Sequence, residues 1–296
     1  MHHRGATHSL LLLPAWAWLL AWIAARVFRH RRGWRDYYAI AAMSVGLHIL
    51  GDLITSFGTI VFAPFSDARF EWGTTFIIDL WFSGIILAGL LASALWRRSA
   101  APALAGCGLL VAYVLCQAWL KNEAMAIGRD FAGRAGLGGA VVSALPRPVS
   151  PFHWTAIVAD DAGYRYANIN LGRGDAPPPA AQDAGLIARV RAQFQPPALA
   201  RWQSATRFGL TPAERQLAEA AWASDAFAFY RWFARYPALL GIERERGATC
   251  VWFRDLRFDG TGVQRAEPFR MGVCREADAA QWQLYRLTAD GRGLLD

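Results

Sequence analysis

The sequence contains little lysine, few charged residues and few cysteines. Lys121 is the only lysine, and charged residues make up 18% of the 296 positions. Four cysteines are too few for a disulfide-rich scaffold. Hydrophobic residues make up 54%, which excludes intrinsic disorder because so much apolar surface must be buried. These residues concentrate before Lys121, in runs too long for the core helices of a soluble enzyme.

The net charge of +8 comes almost entirely from arginine. A basic protein of this size could bind nucleic acid. However, the arginines of the first half cluster between apolar runs, and no nucleic-acid-binding motif is present. We therefore expect the lipid bilayer as a partner and no specific nucleic-acid partner.

Four apolar segments predict membrane helices at residues 9–25, 37–58, 73–96 and 99–120. A membrane helix needs about 20 residues, which the last two segments reach easily and the first two reach with their interfacial ends. The sequence therefore predicts a transmembrane helical domain over residues 1–125, a bundle of about four transmembrane helices.

Arginine placement predicts the orientation of this bundle. One cluster follows the first segment and a pair follows the third: Arg26, Arg29, Arg31, Arg32, Arg35, Arg97 and Arg98. The positive-inside rule places both clusters in the cytoplasm. We therefore expect a multi-pass protein of the bacterial inner membrane with its C-terminal domain outside the cytoplasm. An oxidising compartment would permit a disulfide between Cys250 and Cys274.

The composition changes after Lys121. Residues 126–150 are rich in glycine and proline and are interpreted as a linker. Residues 151–296 are predicted to form a small extramembrane α+β domain. Its signals include a hairpin turn at Asp160-Asp161-Ala162-Gly163 and a capping box at Thr211. The capping box is expected to open an aromatic-rich helix that runs to about Tyr236.

Ionisable residues in the membrane half form the candidate site. They are His3, His8, His48, Asp52 and Asp79. His48 and Asp52 are four positions apart and share one helix face. The predicted topology brings all five toward the outer membrane surface. Imidazoles with carboxylates suit a divalent metal, zinc first and manganese as the alternative, and such an ion activates water.

Structural roles are open for each of these residues. His3 could be an unstructured terminal residue, and His8 could cap the first helix. His48 and Asp52 could form a hydrogen-bonded pair within the membrane, and Asp79 could pair with Arg69. Each role is reasonable alone. The convergence of the residues on one region argues against all of them holding together.

Three segments together resemble a known family. They are His3-Arg4-Gly5-Ala6-Thr7-His8-Ser9, then His48-Ile49-Leu50-Gly51-Asp52 with Thr55-Ser56-Phe57-Gly58-Thr59, then Pro64-Phe65-Ser66 with Arg69-Phe70 and Ile77-Ile78-Asp79. They resemble the bacterial inner-membrane metal-dependent hydrolase family, distantly similar to zinc-dependent phospholipase C and P1 nuclease. Its members usually carry an upstream membrane segment with a Pro-Asp-x-Asp element. The resemblance therefore implies that this chain lacks the N-terminal segment of the family.

The leading hypothesis is an integral membrane hydrolase acting on a phosphoester or lipid-like substrate at the outer membrane face. His3, His8, His48, Asp52 and Asp79 are the candidate metal ligands, with Asp52 and Asp79 as the candidate catalytic carboxylates. Arg4 and Arg69 are the candidates for binding an anionic substrate group. The alternative is a non-enzymatic membrane protein whose outer domain binds an envelope partner. In that case the histidines and aspartates stabilise helix packing.

Overall fold

The computed structural model describes residues 5–28, 33–178, 185–245, 247–259, 269–276, 279, 281–288 and 291–294. The chain divides into two compact units, Met1–Trp119 and Leu120–Asp296. Among the described residues there are seven α-helices and two antiparallel sheets.

The first unit is helical. A 3-10 turn at Ala6–His8 precedes α1 (Leu13–Val27), α2 (Trp34–Leu53), α3 (Leu80–Leu95) and the first part of α4 (Ala101–Arg134). Helices α1 and α2 pack together through small residues. Ala17 and Ala21, one turn apart on α1, are fully buried. Large apolar side chains on these helices, such as Ile40, Leu90 and Leu104, are exposed.

The predicted bundle of about four transmembrane helices is wrong. Of the described helices, only α4 is both long and apolar enough to cross a membrane. Helices α1 and α3 have 15 and 16 residues, and at 1.5 Å per residue they are shorter than a hydrocarbon core of about 30 Å. The 20 residues of α2 include several polar and charged side chains. The predicted third segment starts at residue 73, whereas its helix begins only after Asp79.

The connection between α2 and α3 folds back on the end of α2. The carbonyl of Ile54 accepts hydrogen bonds from the backbone N–H groups of Thr74 and Thr75, at 2.8 and 3.0 Å. Thr59 and Phe70 form an antiparallel bridge. These long-range bonds hold residues 54–79 as an ordered platform at the C-terminal end of α2.

The second unit begins with the last turns of α4 and a four-stranded sheet. Its strands β1 (Val141–Pro146), β2 (His153–Asp160), β3 (Gly163–Asn170) and β4 (Gln203–Thr206) pair antiparallel in sequence order. Leu120 and Ala124 of α4 pack on Trp154 in this sheet. The end of α4 and strand β1 thus lie within residues 126–150, the segment predicted to be a linker.

The second sheet contains β5 (Pro237–Glu245), β6 (Ala248–Asp255), β7 (Met271–Glu276), β8 (Gln283–Thr288) and β9 (Gly291–Leu294). Three short helices complete this unit: α5 (Leu186–Ala192), α6 (Pro212–Ala223) and α7 (Ala228–Phe233). Residues of both sheets share one core, in which Ile157 and Leu256 are fully buried. The buried guanidinium of Arg147 donates to the backbone carbonyls of Leu256 and Arg257, at 2.9 Å each.

A disulfide joins Cys250 on β6 to Cys274 on β7, at facing positions of the second sheet. Both cysteines are buried and pack with Trp252. The sequence left this pairing open. Cys107 and Cys116 on α4 are free thiols.

Candidate metal centre

The last turns of α2 present two potential metal ligands. His48 and Asp52 are one helix turn apart, so their side chains project from the same face. His48 is exposed, whereas the side chain of Asp52 retains 14% of its accessible surface. His48 therefore lies at the surface of the first unit, and Asp52 lies deeper.

The third residue, His8, lies 40 residues before His48 in the sequence, near the start of the first unit. The 3-10 turn of Ala6–His8 is followed by two contacts with the α2–α3 connection. The backbone N–H of Leu10 donates to Val61 O at 2.9 Å. The hydroxyl of Ser9, which is fully buried, donates to Ala63 O at 2.6 Å. These bonds fix the backbone beside His8 over the C-terminal end of α2.

The three side chains meet closely. The Nε2 atom of His8 lies 3.1 Å from Nε2 of His48 and 3.1 Å from Oδ2 of Asp52. The three candidate ligand atoms all lie within 4.8 Å of one another. Ligand atoms bound to a tetrahedral zinc ion at about 2.0 Å are about 3.3 Å apart. The donor set therefore fits a zinc ion with small side-chain movements.

The other ring nitrogen of His8, Nδ1, also has a polar neighbour. The hydroxyl of Thr7 lies 2.8 Å from Nδ1 of His8. If Nδ1–H donates to this hydroxyl, Nε2 is left with its lone pair facing His48 and Asp52. Metal-bound histidines commonly have this arrangement, in which a second hydrogen bond fixes the tautomer and the ring orientation.

Asp79 has a different set of partners. Its Oδ1 atom accepts hydrogen bonds from the backbone N–H groups of Trp81 and Phe82, at 2.9 Å each, and so caps α3. Its Oδ2 atom accepts from the Tyr113 hydroxyl at 2.8 Å. The Gln117 amide then donates to that hydroxyl at 2.7 Å. Asp79 therefore links the start of α3 to α4, and it is not part of the His8, His48 and Asp52 group.

Three candidate residues remain. His3 and Arg4 lie outside the described residues. Arg69 lies in the α2–α3 connection, and its side chain packs against Gly58. Gly58 has a φ of 89°, which disfavours other residues at this close approach.

Sequence reasoning missed three residues of these networks. Thr7 is not among the candidate residues, although it directly precedes His8 in the quoted motif. Tyr113 and Gln117 were passed over within an apolar run. Their spacing of four in an otherwise apolar helix is a signal that could have found them, because polar side chains on one face of a membrane helix need partners.

Comparison with known proteins gives a family match for the N-terminal part of the chain. Residues 1–124 match the model of a family described as YdjM inner membrane protein. No curated protein and no solved structure matched the chain. This match covers less than half of the chain and supports an inner membrane location, but it does not assign the whole chain to the family. It contains no evidence for the resemblance to hydrolases and phospholipase C.

Proposed function

We propose that this inner membrane protein is a metal-dependent hydrolase whose ion is held by His8, His48 and Asp52. The observation that carries the proposal is the convergence of their three ligand atoms within 4.8 Å. Zinc is the preferred ion and manganese the alternative, because both accept imidazole and carboxylate ligands.

A purely structural role explains this cluster less well. The Nε2 atom of His8 can donate only one proton, but Nε2 of His48 and Oδ2 of Asp52 both lie 3.1 Å from it. One hydrogen bond therefore cannot be optimal for both acceptors. A cation satisfies all three atoms at once. Three protein ligands also leave a coordination position open, as in catalytic rather than structural zinc sites.

The chemistry follows from this open position. A divalent ion with a free coordination site supplies a water-derived nucleophile near neutral pH. Thr7 would hold the His8 ring, and Asp52 would contribute negative charge and orient the attacking water. The exposed side of His48 leaves a path by which substrate reaches the site. We propose a phosphoester or lipid-like substrate, because the exposed apolar helix surfaces keep the centre close to lipid.

Metal analysis of the detergent-purified chain tests the proposal. We expect about one zinc or manganese ion per chain and its loss in His8→Ala, His48→Ala and Asp52→Ala. Asp36→Ala is the matched control, because Asp36 is an exposed carboxylate in the first turn of the same helix. Metal binding equal in all four variants would overturn the proposed ligand set.

Activity is the second part of this test. A screen of phosphodiesters, phosphomonoesters and phospholipids with metal-loaded protein should reveal hydrolysis that His48→Ala abolishes and Asp36→Ala retains. A folded protein that binds no metal would favour the non-enzymatic alternative, in which the second unit binds an envelope partner.

We also propose that the second unit lies outside the cytoplasm. The disulfide between Cys250 and Cys274 supports this orientation, because cytoplasmic thiols are normally kept reduced. Rapid alkylation of cells, followed by mass spectrometry, should find this cysteine pair oxidised. Complete alkylation of both thiols without prior reduction would contradict the orientation.

A further inference from the structure

A cleft between α1 and α2 has no role in the proposed reaction. It measures about 500 Å³ and is lined by Pro14, Trp18, Trp34, Arg35 and Tyr38. Trp18 and Trp34 are 47% and 36% exposed, so their rings are available to a bound molecule. Three aromatic rings and one guanidinium thus border a single open cavity on an apolar helix pair.

The cation in this cleft lies near an aromatic ring. The guanidinium carbon of Arg35 lies 5.6 Å from the centre of the Trp34 ring. Trp34 in turn packs edge-to-face on Tyr38, at 6.1 Å between ring centres. Arg35 forms no salt bridge with the described carboxylates. A guanidinium at this distance from an aromatic ring still has its planar N–H groups for a phosphate or carboxylate.

The surrounding charge favours an anionic ligand. Arg26, near the end of α1, lies over the Trp22 ring at 4.5 Å. In the sequence, Arg29, Arg31 and Arg32 also lie between α1 and α2, outside the described residues. Tryptophan and tyrosine beside arginine are typical of the level of lipid headgroups, where basic clusters attract anionic lipids.

We propose that the α1–α2 cleft binds the headgroup of an anionic phospholipid. Arg35 would bind the phosphate, and the faces of Trp18, Trp34 and Tyr38 would pack along the glycerol and the first methylene groups. A lipid is the favoured occupant, because the family match of residues 1–124 is to an inner membrane protein and the outer faces of α1 and α2 are apolar. The site is independent of the proposed metal centre.

Native mass spectrometry of the delipidated full chain in detergent tests this site. Titration with phosphatidylglycerol and phosphatidylcholine should show roughly tenfold tighter binding of the anionic lipid. Both lipids carry the phosphate, but the choline cation of phosphatidylcholine cancels its charge and is repelled by the guanidinium of Arg35. Arg35→Gln should abolish the preference. Arg98→Gln is the matched control, because Arg98 is an exposed arginine in another helix connection of the same unit, and it should leave the preference intact.

A second variant separates the ring contacts from the charge. Trp18→Ala should weaken binding of both lipids, because it removes an apolar wall and leaves Arg35 in place. Inorganic phosphate at millimolar concentration should not displace phosphatidylglycerol if the acyl region contributes. Displacement by phosphate would identify a free anion site instead. An unchanged lipid preference in Arg35→Gln would overturn the proposal.

Discussion

The imidazoles of His8 and His48 meet with their Nε2 atoms 3.1 Å apart, although 40 residues separate them in the sequence. The contact depends on three parts of the first unit. Helix α2 carries His48, the turn of Ala6–His8 carries His8, and the α2–α3 connection holds the two together through Ser9 and Leu10. The candidate centre is therefore a property of the folded unit rather than of one helix face.

The Thr7 hydroxyl should control the metal affinity of the proposed centre. Thr7→Val keeps the shape of the side chain but removes the hydrogen-bond partner of His8 Nδ1. We expect a roughly 10- to 100-fold weaker affinity for zinc, as is typical when a hydrogen bond behind a metal ligand is lost. Competition with a chromophoric chelator measures this affinity. Thr7→Ser retains a hydroxyl and should bind like the parent chain, and equal affinities in the valine and serine variants would refute the prediction.

Asp79 should affect helix stability rather than metal content. Its carboxylate caps α3 and accepts a hydrogen bond from Tyr113. Asp79→Ala should lower the free energy of unfolding by about 1 kcal/mol, the usual cost of losing an N-cap. Asp79→Asn keeps an oxygen for the two backbone N–H groups and should lose less. Loss of bound metal in a folded Asp79→Asn protein would show instead that Asp79 is a ligand.

Local patterns predicted several elements of the second unit correctly. The turn at Asp160 forms as expected, because Oδ1 of Asp160 accepts from the N–H groups of Ala162 and Gly163 at 2.9 Å each. The capping box at Thr211 is also confirmed, with Glu214 bonded reciprocally to Thr211. Each of these depends on side chains within four residues of the backbone groups they serve, so sequence spacing is sufficient to find them.

Longer-range features could not be predicted in this way. The start of α3 depends on backbone bonds that residues 72–75 make to the end of α2. An apolar sequence that also suits a helix gives no sign of those bonds. The predicted aromatic helix to Tyr236 is likewise interrupted, because Ser224 is extended between α6 and the next 3-10 turn. Within the candidate centre, spacing predicted the shared face of His48 and Asp52, but it could not predict which other residues reach that face.

His153 should make the stability of the protein depend on pH. Burial lowers the pKa of His153 to about 4, and the nearby Arg191 and Arg173 add to this effect. The unfolded chain takes up a proton near pH 6.5, whereas the folded chain does so only near pH 4, so stability falls as the pH drops through this window. The loss should reach about 3 kcal/mol by pH 4.

Chemical denaturation of the detergent-solubilised chain at a series of pH values measures this dependence. His153→Phe keeps a flat ring against Phe194, on which His153 stacks at 4.1 Å between ring centres. That variant should lose most of the dependence between pH 6.5 and pH 4. A variant as pH-sensitive as the parent would assign the effect to other groups.

Gly128 should be required where α4 meets the first sheet. A Cβ atom at this position would lie 2.6 Å from Cγ1 of Val142, too close for either side chain to be accommodated without a shift. Gly128→Ala should therefore destabilise the protein by about 1–3 kcal/mol, the usual cost of overpacking. Thermal unfolding of the purified chain measures the effect.

Gly133 on the same helix is the matched control, because a Cβ there meets nothing within 4 Å. Gly133→Ala should stabilise the chain by up to about 1 kcal/mol through helix propensity alone. The two alanine substitutions are chemically identical and differ only in what the new methyl group meets. Adding Val142→Ala to Gly128→Ala should restore part of the lost stability, since it removes the atom that the new methyl group meets. Similar effects of both single substitutions would mean that α4 does not pack on β1 at Gly128.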